Sequence, residues 1–196
     1  MLAFLERGDI PLHAAAVEID GEAVLLAAPG RFGKTTLAAA FVRAGYRLLT
    51  EDLCCIRLGP IPAIIPGPAM IRLRRDVAAE ISLPQAVELG RDDDRVHYAL
   101  ADNGRGDSAP VPLSAIVFLR PGDGVPHLDP VDPVDAIADL WALSFRVPTE
   151  QGAARCFDGT IDIAGRVPVW NLRRPLRYDA LDAAIEVIAH RRDVHV

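Results

Sequence analysis

The chain has 196 residues, of which 51% are hydrophobic and 24% charged, and its formal net charge is −6 at pH 7. This length and composition predict one folded domain over residues 1–196 and exclude an intrinsically disordered or fibrous protein. The acidic balance argues against nucleic acid as a partner, and no apolar stretch reaches the ~20 residues of a membrane span. The 3 cysteines follow neither a disulfide nor a zinc pattern, which predicts free thiols and a cytoplasmic protein.

The first predicted unit is a β-hairpin that leads into a Gly-rich loop and a helix. HAAAVEIDGEAVLLAAP contains two apolar runs joined by Asp20 and Gly21, a dipeptide typical of a two-residue turn. The run TTLAAAFVRAG has apolar residues at helical spacing, so it predicts a helix. YRLLTEDLCCIRL then predicts a strand that its two acids end or interrupt.

The second half of the chain is less regular. IPAIIPGPAM is too rich in proline for a central strand and predicts an edge segment or a covered connection, and RLRRDVAAEI predicts a short helix. Residues 90–112 predict exposed turns around one strand-like unit, RVHYAL. LSAIVFLR and VPVWNL predict strands. Helices are expected from about Pro133 to Phe145, with Asp132 at the start, and over DALDAAIEVIAHRR, capped by Asp179.

The loop itself matches a nucleotide-binding pattern. AAPGRFGKTT fits GxxxxGK followed by Ser or Thr, with alanine in place of the first glycine. The curled backbone would aim its amides at phosphate oxygens, the lysine would reach the β and γ phosphates, and the first threonine would offer its hydroxyl to magnesium. A strand precedes the pattern and a helix follows it, so we expect ATP and Mg²⁺ as cofactors. The residues expected to bind the nucleotide are Ala28, Pro29, Gly30, Arg31, Phe32, Gly33, Lys34, Thr35 and Thr36.

A histidine is predicted to lie beside this loop. Counting outward from the two-residue turn sets His13 opposite Ala28. The alternative is a core histidine, because His13 shares a strand face with Val17 and Ile19. The register alone leaves both interpretations open.

Two acids are predicted to converge on the same place. A strand that returns after the loop helix runs parallel to the first strand and ends at the same edge, so Glu51 and Asp52 would face the phosphates. They can divide the two roles of holding magnesium and accepting the proton of an attacking hydroxyl. A solvated acidic strand end is the alternative. Further positive charge at the site could come from Arg120, Arg146 or the run Arg72–Arg75.

The order of these parts carries a resemblance. LHAAAVEIDGEAVLLAAPGRFGKTTLAAAFVRAGYRLLTEDLCCIRL resembles the catalytic domain of bacterial HPr kinase/phosphorylase, with a histidine before a hairpin, a P-loop, a helix and an acid pair. The resemblance implies an α/β P-loop fold related to phosphoenolpyruvate carboxykinase, with a mixed sheet and flanking helices. It further implies that Lys34 and Thr35 handle phosphates and metal, Glu51 is the catalytic acid, Asp52 is the metal-associated acid, and His13 partners the base.

The resemblance also bears on the substrate. The family uses ATP and magnesium to phosphorylate a protein serine, and the short proteins that this chain resembles are found with ribosomally made peptides, including lasso peptides. We therefore expect a kinase whose acceptor is a serine or threonine hydroxyl of a peptide or protein. A nucleotide-binding accessory module without transfer and a small-molecule kinase are the alternatives, and a homo-oligomer stays open.

Overall fold

The structure is a computed structural model, and it describes residues 2–30, 32–101 and 109–191. The helices are α1 (Leu2–Glu6), α2 (Lys34–Arg43), α3 (Arg75–Glu80), α4 (Pro133–Leu143), α5 (Glu150–Arg166) and α6 (Leu181–Ala189), and a 3-10 turn covers Tyr178–Ala180. The strands are β1 (Ile10–Leu12), β2 (Ala14–Ile19), β3 (Glu22–Ala27), β4 (Arg47–Thr50), β5 (Cys54–Arg57), β6 (Ala63–Ile65), β7 (Met70–Arg74), β8 (Ala86–Arg91), β9 (Arg95–Leu100), β10 (Val111–Pro121), β11 (His127–Pro130) and β12 (Val169–Arg174).

Most strands belong to one mixed sheet with helices on both faces. Its order is β1-β5-β6-β10-β3-β2-β4, and β12 pairs with β10 and β11. Strands β3, β10 and β12 are parallel neighbours. One core cluster contains Leu37 and Phe41 of α2 with Ile185 of α6, and a second contains Leu140 of α4 and Ile163 of α5. The predicted α/β fold with a mixed sheet and flanking helices is therefore confirmed.

The hairpin formed by β2 and β3 has the predicted register. Asp20 and Gly21 have φ angles of 52° and 80°, which is the conformation that a two-residue hairpin turn requires. Ala14 pairs with Ala27, so His13 is the next residue outward at the edge where β3 ends. Strand β4 also pairs antiparallel with β2 and therefore runs in the same direction as β3. The ends of β3 and β4 and the start of β2 meet at one edge of the sheet.

Two expectations about the sheet need correction. The proline-rich segment does not form an edge, because β6 lies between β5 and β10. Only its three residues enter the ladder, and Pro62 and Pro66 stand just outside them. The segment RLRRDVAAEI is helical only in its second part, since its first residues complete β7. Strand β7 belongs to a separate three-stranded sheet of order β7-β9-β8.

Of the two predicted helix caps, one is confirmed and the other is wrong. Asp132 caps α4, its carboxylate accepting from the amide of Val134 at 2.9 Å, although the helix ends at Leu143 rather than Phe145. The cap expected from Asp179 is wrong, because this residue lies within the 3-10 turn and α6 follows Ala180 without a side-chain cap.

Helix α5 was not predicted. Residues 102–108 of the predicted turn region lie outside the described residues. No helix in the described part of the chain is long and apolar enough to cross a membrane.

Candidate functional site

The Gly-rich loop follows β3 at the edge where the strands converge. Ala28 is fully buried in the core, so a methyl group fits where the pattern usually has its first glycine. Pro29 and Gly30 are exposed, and Arg31 lies outside the described residues. Gly33 has a φ angle of 75°, a left-handed conformation that favours glycine. At Gly33 the backbone thus has the conformation for which the pattern needs a glycine.

Helix α2 begins directly after Gly33, and no side chain of the described residues caps its amino-terminal end. Gly33 provides no side-chain hydrogen bond to the first turn, and that turn contains no acidic residue. The first amides of a helix need partners from outside the helix, and the helix dipole makes this end attractive to anions. This end of α2 is therefore suited to bind a phosphate group.

The loop lysine is held by His13. Lys34 is buried, and its Nζ atom lies 2.9 Å from Nε2 of His13. Because an ammonium group can only donate, Nε2 must be the acceptor, and the imidazole proton is then on Nδ1. Nδ1 lies 3.2 Å from the main-chain oxygen of Asp52 and donates to it. Burial lowers the pKa of Lys34, and the charges of Asp52 and Glu51 act in the opposite direction.

The two acids occupy a tight turn after β4. The Thr50 hydroxyl donates to the main-chain oxygen of Leu53 at 2.8 Å, and the Leu53 amide donates to the main-chain oxygen of Glu51 at 2.7 Å. Between them, Asp52 has a φ angle of 63°. A left-handed residue other than glycine is uncommon and often marks a functional site. The sharp turn allows the two neighbouring carboxylates to take different surroundings.

Glu51 points inward, toward the start of α2. Its side chain is 4% exposed and accepts from the Thr35 hydroxyl and the Arg72 amide, each at 3.1 Å. Burial, followed by the charge of Asp52, raises the pKa of Glu51, although contacts with Arg72 and Thr35 oppose the shift. The Asp52 side chain is 33% exposed and forms an ion pair with the Arg72 guanidinium.

Among the described arginines that the sequence suggested, Arg72 is the one that contacts both acids. Ile71 and Leu73 are fully buried, so the alternation of β7 turns Arg72 to the opposite side, toward the acid turn. Arg120 instead pairs with Asp139, and Arg146 stacks on Trp141 with its guanidinium carbon 4.0 Å from the ring centroid. These contacts account for the positions of both side chains, and neither contact involves the Gly-rich loop.

The structure adds one residue that sequence reasoning missed. Arg174, the last residue of β12, donates to the main-chain oxygen of Gly33 at 3.3 Å. Its side chain shares a face of the strand with Trp170 and Leu172, both of which are buried. The alternation of VPVWNLRR already puts Arg174 on the apolar face, and an inward arginine at the end of a strand was the available signal.

These groups surround one cavity of about 370 Å³. Its volume is within the usual range for a small-molecule site, roughly 300–1,000 Å³. The lining includes His13, Lys34, Thr35, Asp52, Arg72 and Arg174. The loop, the histidine, the exposed acid and two arginines are therefore within reach of one ligand.

The donor atoms fit a magnesium ion that is bound together with phosphates. The Thr35 hydroxyl and a Glu51 carboxylate oxygen lie 3.1 Å apart, and both are oxygen donors. Within the described ranges no group of three or more His, Cys, Asp or Glu side chains could hold a metal alone. Magnesium commonly takes only one or two protein ligands and completes its shell with phosphates and water. Asp52, the predicted metal acid, faces Arg72 instead of Thr35.

Comparisons with known proteins give a distant structural likeness. No protein-family model matches the chain, and no curated protein matches it. The solved structures that match include the HPr(Ser) kinase/phosphatase from Coxiella burnetii, with 16% sequence identity and a TM-score of 0.47. The match covers 93% of this chain and 97% of that chain. What the site does is therefore inferred from its own atoms.

Proposed function

We propose that the protein is an ATP- and Mg²⁺-dependent kinase that transfers a phosphoryl group to a hydroxyl of a peptide or protein. The observation that supports this most directly is the convergence of Lys34, Thr35, His13 and Asp52 at one cavity, with the buried Glu51 carboxylate directly behind Thr35. Phosphoryl transfer needs positioned phosphates, compensation of their charge and a carboxylate near the acceptor. Each requirement has a candidate group at this site.

The loop and the start of α2 would hold the triphosphate. Main-chain amides at the beginning of the helix can donate to phosphate oxygens, and Lys34 adds a mobile positive charge. The Lys34 ammonium group donates to Nε2 of His13. We propose that His13 positions the Lys34 ammonium group beside the loop, from where it can donate to the terminal phosphates.

The surroundings of the two acids favour a division of roles opposite to the one that the resemblance implies. Glu51 is buried against the Thr35 hydroxyl, so we propose that it holds magnesium together with Thr35. Bound there, the ion would neutralise charge on the phosphates. Asp52 lines the cavity and is more exposed, which suits the group that meets the acceptor. The sequence could not distinguish them because they are neighbours, and the left-handed turn decides their directions.

The proposed chemical step uses Asp52 as the base. The acceptor oxygen forms a bond to the γ phosphorus, its proton passes to the Asp52 carboxylate, and the bond from the γ phosphorus to the bridging oxygen of ADP breaks. Arg72, which contacts both acids, would keep the Asp52 carboxylate in position. The resemblance seen in the sequence supports a serine or threonine of a ribosomally made peptide as acceptor. The three thiols agree with a cytoplasmic protein.

The test combines ATP labelled in its γ phosphate, magnesium and an array of peptides that contain serine or threonine. We expect the wild type to label a subset of peptides. Asp52→Asn should bind ATP normally but transfer at least ~100-fold more slowly, because removing a general base typically costs 10²–10⁴-fold in rate. Glu51→Gln should need a higher magnesium concentration, and Lys34→Met should bind ATP weakly.

The outcomes separate the competing functions. Normal transfer by Asp52→Asn, with a changed magnesium requirement, would restore the division of roles implied by the resemblance. ATP binding without transfer to any peptide would favour the accessory module, and transfer to metabolites alone would favour a small-molecule kinase. Arg173→Gln is a matched control, because this exposed arginine pairs with Asp129 on the other side of β12. It should behave like the wild type.

A further inference from the structure

Arg174 is a buried cation beside the loop. Its exposure is 2%, and it follows the apolar residues of β12 that pack in the core. An arginine remains protonated in proteins, and a buried charge is normally balanced by an opposite charge. Burial lowers the pKa of Arg174, but its ordinary value is so high that the guanidinium stays charged at neutral pH.

Within the part of the chain that the structure describes, Arg174 has no carboxylate partner. Its terminal nitrogens donate only to main-chain oxygens, and its buried Nε atom has no hydrogen-bond partner. Two other arginines that line the same cavity do have carboxylate partners, since Arg72 contacts Asp52 and Arg177 contacts Asp179. Arg174 therefore contributes uncompensated positive charge next to Lys34 and the start of α2.

Arg174 also contacts two carbonyl groups of the loop, one of which, that of Gly33, accepts from the Leu37 amide of α2 at 2.9 Å as well. Its Nη2 atom donates to the oxygens of Phe32 and Gly33, at 3.4 and 3.3 Å. In a planar trans peptide the carbonyl and the following N–H point in opposite directions. Arg174 therefore helps to keep the Gly33 amide on the other side of the backbone, and it does the same for the Lys34 amide together with the first turn of α2. Both amides can then donate to an anion.

We propose that Arg174 is a positioning residue for the binding of the polyphosphate chain, a role that rests on the proposed function. It clamps the loop in its anion-binding curl, and its positive charge makes the loop more attractive to phosphates. A polyphosphate with magnesium would supply the negative charge that the guanidinium lacks. The effect should grow with the charge of the ligand and hence from AMP to ATP and inorganic tripolyphosphate.

Calorimetry with AMP, ATP and inorganic tripolyphosphate, each in the presence of magnesium, tests this role. Arg174→Met keeps an apolar side chain of similar length, and Arg174→Lys keeps the positive charge without the planar guanidinium group. Arg173→Met is the control. For Arg174→Met we expect an affinity for ATP and tripolyphosphate that is weaker by roughly 10- to 100-fold, the range of a charge-assisted hydrogen bond. Arg174→Lys should lose less, AMP should lose least, and the control should bind like the wild type.

The results distinguish this role from the proposed function. If the wild type binds neither ATP nor tripolyphosphate, the proposed function fails and the role of Arg174 fails with it. If the wild type binds both and Arg174→Met binds them equally well, only the role of Arg174 is overturned. Equal losses for AMP and ATP would mean a general defect of the fold and would also overturn it. If the methionine variant does not fold, Arg174→Lys is the deciding variant. Binding equal to that of the wild type would show that the guanidinium group is unnecessary and would overturn the role of Arg174.

Discussion

Replacing Gly33 with alanine should damage the loop in two separable ways. The first is backbone strain, because a φ angle of 75° costs an L-residue about 1–2 kcal/mol. The second is contact, because the new Cβ would lie 2.6 Å from Nη2 of Arg174. Displacing the guanidinium would weaken its bonds to the loop oxygens, and losing one hydrogen bond to a charged group costs about 1.5–3 kcal/mol. The free energy of unfolding should therefore fall by about 2.5–5 kcal/mol.

A double-mutant cycle separates the two effects. In an Arg174→Met background the guanidinium is absent, so Gly33→Ala should cost only the strain of about 1–2 kcal/mol. Urea denaturation of the four proteins measures the free energies of unfolding, and calorimetry with ATP and magnesium shows whether binding follows the same pattern. Gly30→Ala is the matched control for the free energy of unfolding, because Gly30 lacks a positive φ angle and its Cβ would meet no described atom within 4 Å. It is not a control for ATP binding, because Gly30 lines the cavity.

The cycle has a clear contrary result. If Gly33→Ala costs the same in both backgrounds, to within about 0.5 kcal/mol, then the guanidinium does not occupy the space beside Gly33. In the wild-type background the expected loss corresponds to a melting temperature lower by about 5–20 °C for a protein of this size. A loss as large for Gly30→Ala would show that the loop tolerates no side chain and that Gly33 has no special place in it.

Three further predictions concern the rest of the molecule. Burial raises the pKa of Glu51, so the folded state keeps this proton to a higher pH than the unfolded chain; wild-type stability should fall as pH rises from the ordinary glutamate range through the raised pKa. Glu51→Gln should lack this fall, and parallel stability curves for the two proteins across that range would contradict the assignment. Gly159→Ala would place a Cβ 2.4 Å from Cδ1 of Ile10 and should destabilise the protein by about 1–3 kcal/mol. Gly165→Ala in the same helix would place a Cβ with no described atom within 4 Å and should stabilise the protein by about 0.5–1 kcal/mol. A urea titration that ranks the two variants otherwise would refute this packing. Asp132→Ala should cost about 1 kcal/mol by removing the cap of α4, and an unchanged denaturation midpoint would show that the cap adds no stability.

The sequence predicts the edge of the sheet where the site lies because local rules determine it. The Asp20-Gly21 turn fixes the pairing of β2 with β3, and that register alone leads to His13 beside the loop. The crossover connection through α2 brings β4 back parallel to β3, so that both strands end at the edge where the acids lie. Both inferences need only neighbouring segments of the chain.

Other parts depend on contacts between distant segments, which local patterns do not specify. Arg174 reaches Gly33 across 141 positions of sequence, because β12 pairs with β10 and β10 pairs with β3. The difference between Glu51 and Asp52 depends on a left-handed turn and on an arginine from a separate sheet. Helix α5 was missed because glycine, which is unfavourable within a helix, recurs in it at Gly152, Gly159 and Gly165.

Several groups at and beside the cavity are unfavourable for the stability of the folded protein. Lys34 and Glu51 are buried charged groups, Asp52 is in a left-handed conformation, and Arg174 lacks a counter-ion among the described residues. A bound polyphosphate would place negative charge beside Lys34 and Arg174 and would give the free amides of α2 an acceptor. Because a ligand that binds only the folded state stabilises it, ATP with magnesium should raise the melting temperature, and the gain should shrink when Lys34 or Arg174 is replaced by methionine. Such a pattern of costs at one site is expected when the residues serve binding rather than folding.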